Sequence, residues 1–141
     1  MSIWRKIFDL EQLNAARKNT LVENLGIMIT ECGDDFLCAT MPIDHRTHQP
    51  MGIMHGGASV SLAETVGSIA ATMAVDDNHY CVGLDINANH IRAVKSGLVY
   101  ATARPYHIGR STHVWDIRII DENNNPVCVS RLTMSVLKKR N

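Results

Sequence analysis

The stretch from His55 to Val75 constrains this chain more than any other. It reads as one long helix entered through Gly56 and Gly57, with Val60, Leu62, Ala63, Val66, Ile69, Ala70 and Met73 placing apolar or small side chains on almost every side. A helix that is apolar all round belongs in a core. Glu64 is its only charge. Taking a carboxylate out of water with no Lys or Arg beside it is costly unless something satisfies it, so this residue needs a reason to be there. Ser61, Glu64, Ser68 and Thr72 stand at i−3, i, i+4 and i+8, which puts them on one stripe. At the helix entrance the two glycines carry no Cβ, so the unpaired N–H groups of a helix N-terminus can approach a ligand closely. Stabilising an oxyanion requires such donors.

Glu64 lies about two turns beyond Gly56, on the order of 12 Å away along the axis at about 1.5 Å rise per residue. One helix cannot aim both groups at the same carbon atom. Two copies packed antiparallel across a twofold axis bring the carboxylate of one to the glycine N–H of the other, and isologous dimers are the commonest oligomer. The expectation is a pair of sites shared between subunits.

With 141 residues and 45% hydrophobic content, the chain reads as one domain over residues 1–141 with an ordinary packed core. Fourteen basic residues cancel fourteen acidic ones, and no basic block interleaves with aromatics, which excludes a nucleic-acid partner from the expectations. Lys138-Lys139-Arg140 reads as a solvated end. Cys32, Cys38, Cys81 and Cys128 show no paired spacing and read as reduced thiols, favouring a cytoplasmic protein. No apolar stretch is long enough for a membrane span, and Arg5, Lys6, Asp9 and Glu11 stand where a signal peptide would have its apolar run. His45 and His48 are spaced by three, but neither a His-Glu-x-x-His helix nor a Cys/His cluster accompanies them, so no catalytic metal is expected.

Along the chain, Asp9-Leu10-Glu11-Gln12 has the form of a capping box opening a short helix as far as Asn19. Thr20-Leu21-Val22-Glu23 repeats it, with Gly26 placed to stop the turn. Leu21, Val22 and Leu25 then cover a core edge. Gly26 to Cys32 and Phe36 to Pro42 read as a hairpin around Gly33-Asp34-Asp35. Ile43 to Met54 is a loop bounded by Pro42 and containing Pro50; it holds His45, His48 and Gln49. After the helix and the break at Asp76-Asp77-Asn78, Val82, Leu84, Ile86 and Ala88 alternate with polar or small residues as in a half-buried strand. Ile91 and Ala93 continue on odd positions, which predicts a bulge near His90. Leu98 to Ile108, Ser111 to Asp121 and Val127 to Leu137 are three further strands joined by short turns, an antiparallel pattern. The fold class is α+β, a helix laid on a curled sheet.

Gln49-Pro50-Met51-Gly52-Ile53-Met54-His55-Gly56-Gly57, the helix with Glu64, and Gly83-Leu84-Asp85-Ile86-Asn87-Ala88-Asn89-His90-Ile91-Arg92 resemble the hotdog-fold acyl-CoA thioesterases. Within that family the chain is most similar to the menaquinone-pathway dihydroxynaphthoyl-CoA hydrolases and the enterobactin-pathway proofreading thioesterase, and the similarity runs nearly end to end, from Trp4 to Val114-Trp115. His-Gly-Gly with a glutamate nine residues after the histidine is the specific part. The resemblance implies a hotdog fold, a helix wrapped by a sheet, in dimers that join their sheets edge to edge and associate as homotetramers. It also implies active sites at the dimer interface, in agreement with the distance argument.

Carried over by position, Glu64 is implied as the catalytic carboxylate, acting as nucleophile or as general base on water. Gly56 N–H, helped by the Gln49 amide, is implied to polarise the thioester carbonyl. His55 is implied to assist alignment or thiolate departure, and Thr65, Ser68 and His90 to hold the attacking water. Arg92 and the Gly109-Arg110-Ser111 turn are implied to meet the phosphates or adenosine end of coenzyme A. The expected substrate is an acyl-CoA, aryl or naphthoyl and also fatty acyl, with acyl carrier protein as a further partner and no cofactor. Two other functions compete. A hotdog hydratase on acyl thioesters would show alkene hydration, and a non-catalytic acyl-CoA sensor would bind without hydrolysis.

Overall fold

The structure, a computed structural model, describes residues 1–140. The elements follow the chain as α1 (Leu10–Ala15), α2 (Leu21–Asn24), β1 (Met28–Cys32), β2 (Leu37–Pro42), α3 (Gly56–Met73), β3 (His79–His90), β4 (Leu98–Ile108), β5 (Thr112–Ile120) and β6 (Pro126–Lys138). Asp9 caps α1 through a side-chain bond from Gln12 N, as the capping-box reading predicts. That helix ends at Ala15 rather than Asn19, because Asn19 turns to a positive φ of 62° and the chain restarts at Thr20. In α2 no side-chain cap forms at Thr20; Glu23 instead accepts a hydrogen bond from Asn19 N.

The six strands form one antiparallel sheet in the order β1-β2-β4-β5-β6-β3. After β2 the chain therefore crosses the concave face as α3 and enters the opposite edge as β3, which is why the strands on either side of the helix are not neighbours. The α+β hotdog architecture is present as expected. Leu62, Val66, Ile69 and Ala70 of α3 pack on Leu37, Met41, Ile117, Ile119, Leu132 and Met134, all buried. Each such large side chain contributes about 1.5–3 kcal/mol by leaving water. Gly67 marks the closest approach: a β-carbon there would stand 2.7 Å from Leu132 Cδ2 and 3.2 Å from Ile117 Cδ1.

The first residues strap the far end of α3. Trp4 stacks over Trp115 at 6.3 Å between centroids and donates through Nε1 to Gly33 O at 2.6 Å. Lys6 Nζ donates to Thr72 O at 2.7 Å and Val75 O at 2.6 Å, so a cation closes the carbonyl end of the helix.

Four expectations are corrected. The helix is not sunk on all sides: its polar stripe, with Ser61, Glu64, Thr65, Ser68 and Thr72, is the side its own sheet leaves uncovered, and Glu64 is half-buried. The bulge in β3 lies at Leu84, where the register against β6 shifts between Gly83 and Asp85, and not near His90, where the strand ends. Val82 and Leu84 consequently do not share an inner face with Ile86 and Ala88; they are 41% and 63% exposed, while Ile86 and Ala88 pack on the core. Ile91 and Ala93 are exposed outside the strand and form no apolar face. The physical reason is the bulge itself, which swaps the parity of everything downstream.

Candidate active site

His55 is the N-cap of α3, with extended backbone and a ring whose Nδ1 accepts Gly57 N–H at 2.8 Å. That bond uses up the second glycine donor and fixes the proton of the neutral imidazole on Nε2. Gly56 N–H, by contrast, finds no partner within the chain among the described residues. The two glycines, equivalent in the sequence, are thus distinguished by the fold.

His90, at the end of β3, comes to the same place. Buried Ser59 donates its hydroxyl proton to Gly56 O at 2.8 Å and lies 3.2 Å from His90 Nδ1. With its single proton spent, Ser59 Oγ can only accept from that ring nitrogen, which leaves His90 Nε2 as an acceptor. This Nε2 faces Gly56, 2.9 Å from where a β-carbon would stand. Gln49 arrives from the loop: its side-chain oxygen accepts from Met51 N, so its NH₂ remains available to donate. Gln49, Met54, Gly56, His90, Arg92 and Val127 line one cavity of about 290 Å³.

Glu64 is elsewhere. Its carboxylate leans over Gly83 in the middle of β3 and makes no hydrogen bond or ion pair among the described residues. Ser68, one turn on, sits with Oγ 3.9 Å from Met134 Sδ, and Met134 Sδ is also 3.9 Å from the Gly83 position. The expected residues therefore fall into separate groups within one chain. Gln49, His55, Gly56, His90 and Arg92 gather at the N-terminal end of α3, and Glu64, Thr65 and Ser68 on its open stripe.

Gly109 and Arg110 lie at a third place, the C-terminal end of the helix. They line a cavity of about 300 Å³ with Arg5, Val75, Asp76, His79 and His113, and Ser111 follows in the same turn, its carbonyl accepting from Val136 N. Asp76 accepts from His79 Nδ1 at 2.7 Å, and that bond holds its carboxyl below the usual carboxylate range. His113 is fully buried, and burial, with the charge of His107 second, pushes its imidazole down. Its Nδ1 accepts from Trp115 Nε1 at 3.3 Å, while its Nε2 is buried without a partner.

Sequence reasoning missed Ser59, Gly83 and His113. A glycine in mid-strand is a known sign of close approach and pointed to Gly83; a serine three residues into the helix gave no comparable sign of its bond to His90. No group of three or more metal-ligating side chains forms among the described residues, and no helix is long and apolar enough to cross a membrane.

Residues 51–128 match the thioesterase superfamily. The chain is 49% identical to proofreading thioesterase EntH of Cronobacter sakazakii over 96% of its own length and 98% of that protein. Among solved structures, thioesterase HI1161 of Haemophilus influenzae is 52% identical with a TM-score of 0.95, covering 96% of this chain and 95% of that one. A mutant of thioesterase PA1618 from Pseudomonas aeruginosa is likewise 52% identical, with a TM-score of 0.96 over 98% and 100% of the two chains.

Proposed function

The chain belongs to the thioesterase superfamily and is a hydrolase of thioester bonds, and on that premise we propose that it hydrolyses aryl or naphthoyl, and also fatty acyl, thioesters of coenzyme A with Glu64 as the catalytic carboxylate. The observation that carries the reading is the separation of a partnerless carboxylate from a partnerless N–H along one helix. β3 runs beside α3 in the opposite direction, with Gly83 against Glu64 and His90 against Gly56. β3 is also an edge strand. Antiparallel pairing of β3 with its copy, Gly83 opposite His90 of the partner subunit, carries each Glu64 to the Gly56 end of the other helix. Tyr80, Val82 and Leu84, exposed on that strand, then gain cover.

In such a site Gly56 N–H and the Gln49 NH₂ polarise the thioester carbonyl. Glu64 then acts in one of two ways. As general base it takes a proton from water, whose oxygen bonds to the acyl carbon while the carbon–sulfur bond breaks. As nucleophile its oxygen forms an anhydride that water opens in a second step. His55 Nε2–H meets the departing thiolate, and Thr65, Ser68 and His90 Nε2 hold the water. Arg92 and the Gly109-Arg110-Ser111 turn meet the phosphate-bearing end of the substrate. The reaction draws on no group beyond the chain, the thioester and water.

Likeness to a proofreading thioesterase supports a second reading, in which acyl groups are cleared from a carrier protein's phosphopantetheine arm. Measuring free thiol released from benzoyl and naphthoyl groups on coenzyme A, and from the same groups on carrier protein, tests both. Turnover of the coenzyme A series is expected; no turnover in either series overturns the proposal.

A further inference from the structure

Ser59 is the one polar side chain of α3 that is buried, and it lies off the open stripe that bears Glu64. Its hydroxyl has one proton to give and two lone pairs to offer. The proton goes to Gly56 O at 2.8 Å. The Cys128 thiol also bonds this hydroxyl, but burial pushes that thiol up and keeps it protonated, so it is a weak rival for the proton. His90 Nδ1, 3.2 Å away, is then the donor in its bond to Ser59. A serine that bonds back to a carbonyl three or four residues earlier is common in helices, and Ser61 does so, to Gly57 O at 2.8 Å. Ser61 has no second partner among the described residues; Ser59 has a ring nitrogen from the end of β3. Its hydroxyl therefore acts on something outside its own helix.

The consequence lies on the far side of the ring. A neutral imidazole left in water favours the tautomer with its proton on Nε2. Drawing the proton to Nδ1 reverses that preference and leaves Nε2 with a lone pair. Nε2 stands 2.9 Å from the β-carbon position of Gly56, whose N–H is unpartnered, in the cavity that Gln49 also lines. An acceptor there takes a hydrogen bond from water and leaves the water's own lone pairs free for attack. An N–H there would bind one of those lone pairs instead.

We propose that Ser59 is a positioning residue for thioester hydrolysis: its hydroxyl holds His90 in the Nδ1–H tautomer, so that Nε2 accepts from the attacking water. The inference rests on the hydrolytic reading above and adds to it a buried residue that touches neither substrate nor water.

Ser59→Ala, Ser59→Thr, His90→Ala and the double alanine variant test it, by long-range nitrogen–proton correlation NMR of the histidine rings and by steady-state kinetics with benzoyl-CoA and naphthoyl-CoA. Spectra are taken at about pH 8, above the ordinary histidine range. The ring signals missing from His90→Ala identify His90. In the unaltered protein that ring is expected to carry its proton on Nδ1. In Ser59→Ala the proton moves to Nε2, and kcat falls about tenfold at unchanged KM, the effect of one lost hydrogen bond felt in the transition state. Ser59→Thr keeps a hydroxyl that can bond the same carbonyl, so it holds the tautomer and most of kcat. In the His90→Ala background, Ser59→Ala costs nothing further, a result that a merely structural role would not produce. A His90 ring protonated on Nε2 in the unaltered protein, a Ser59→Ala protein of unchanged kcat, or an equal loss with and without His90 each overturns the assignment. Should Ser59→Thr fail to fold by circular dichroism, the alanine cycle decides alone. Absence of turnover by the unaltered protein refutes the hydrolytic reading and this role with it, whereas turnover alongside an Nε2–H tautomer refutes this role alone.

Discussion

Oε2 of Glu64 lies 2.7 Å from the point that a β-carbon on Gly83 would occupy. The atom in the way is the far end of a flexible side chain, so Gly83→Ala should leave the fold intact and move the carboxylate. A displacement of about 1 Å at a reacting group costs on the order of 10²-fold in rate. We expect kcat to fall by about that factor while the urea midpoint stays within error; an unchanged kcat would separate Gly83 from the chemistry.

Glu64→Gln keeps the shape and removes the charge. Because Glu64 has no hydrogen-bond or ion-pair partner among the described residues, the substitution should not reduce stability, whereas loss of acid–base or nucleophilic function lowers turnover by about 10²–10⁴-fold. Steady-state kinetics with thermal unfolding on the same sample checks both halves.

At the other end of the helix, Gly56→Ala places a β-carbon 2.9 Å from His90 Nε2. Losing donor geometry of this kind costs about 10²–10³-fold. Mixing and refolding the Gly56→Ala and Glu64→Gln proteins should restore about a quarter of normal activity if sites are shared across a twofold axis, since half the dimers are mixed and each carries one intact site. No recovery would place both residues' work within one chain.

For pH, the sign follows from His113. Its folded imidazole is pushed down by burial, so below the ordinary histidine value of about 6.5 the unfolded chain takes up a proton that the folded chain refuses. Stability is full above that value and declines as pH falls through it toward the lower folded one. Urea midpoints between about pH 5 and pH 8 should show this decline, and His113→Gln should flatten it.

Much of this was legible in the residues. The length of α3, the hairpin and the last three strands followed from periodicity and turn chemistry, and family resemblance put Gln49, His55 and Gly56 together; it grouped His90 with Thr65 and Ser68, from which the fold of one chain separates it. The place of β3 did not follow, because strand order depends on which edge a crossover reaches, and alternation alone carries no such information. Nor did Ser59 or His113, whose importance arises from partners 31 residues away in one case and from an unmatched nitrogen in the other. The stripe on α3 was visible as a pattern, but that it faces outward depends on how far round the sheet curls.

The single extra residue at Leu84 has a consequence in simple parity. Gly83 and His90 are an odd number of positions apart, and on an unbroken strand an odd separation sends two residues to opposite faces. With the kink between them both look at α3, one toward its middle and the other toward its tip. A strand of the same length without that kink would be a straighter ribbon that could serve either end of the helix, never both.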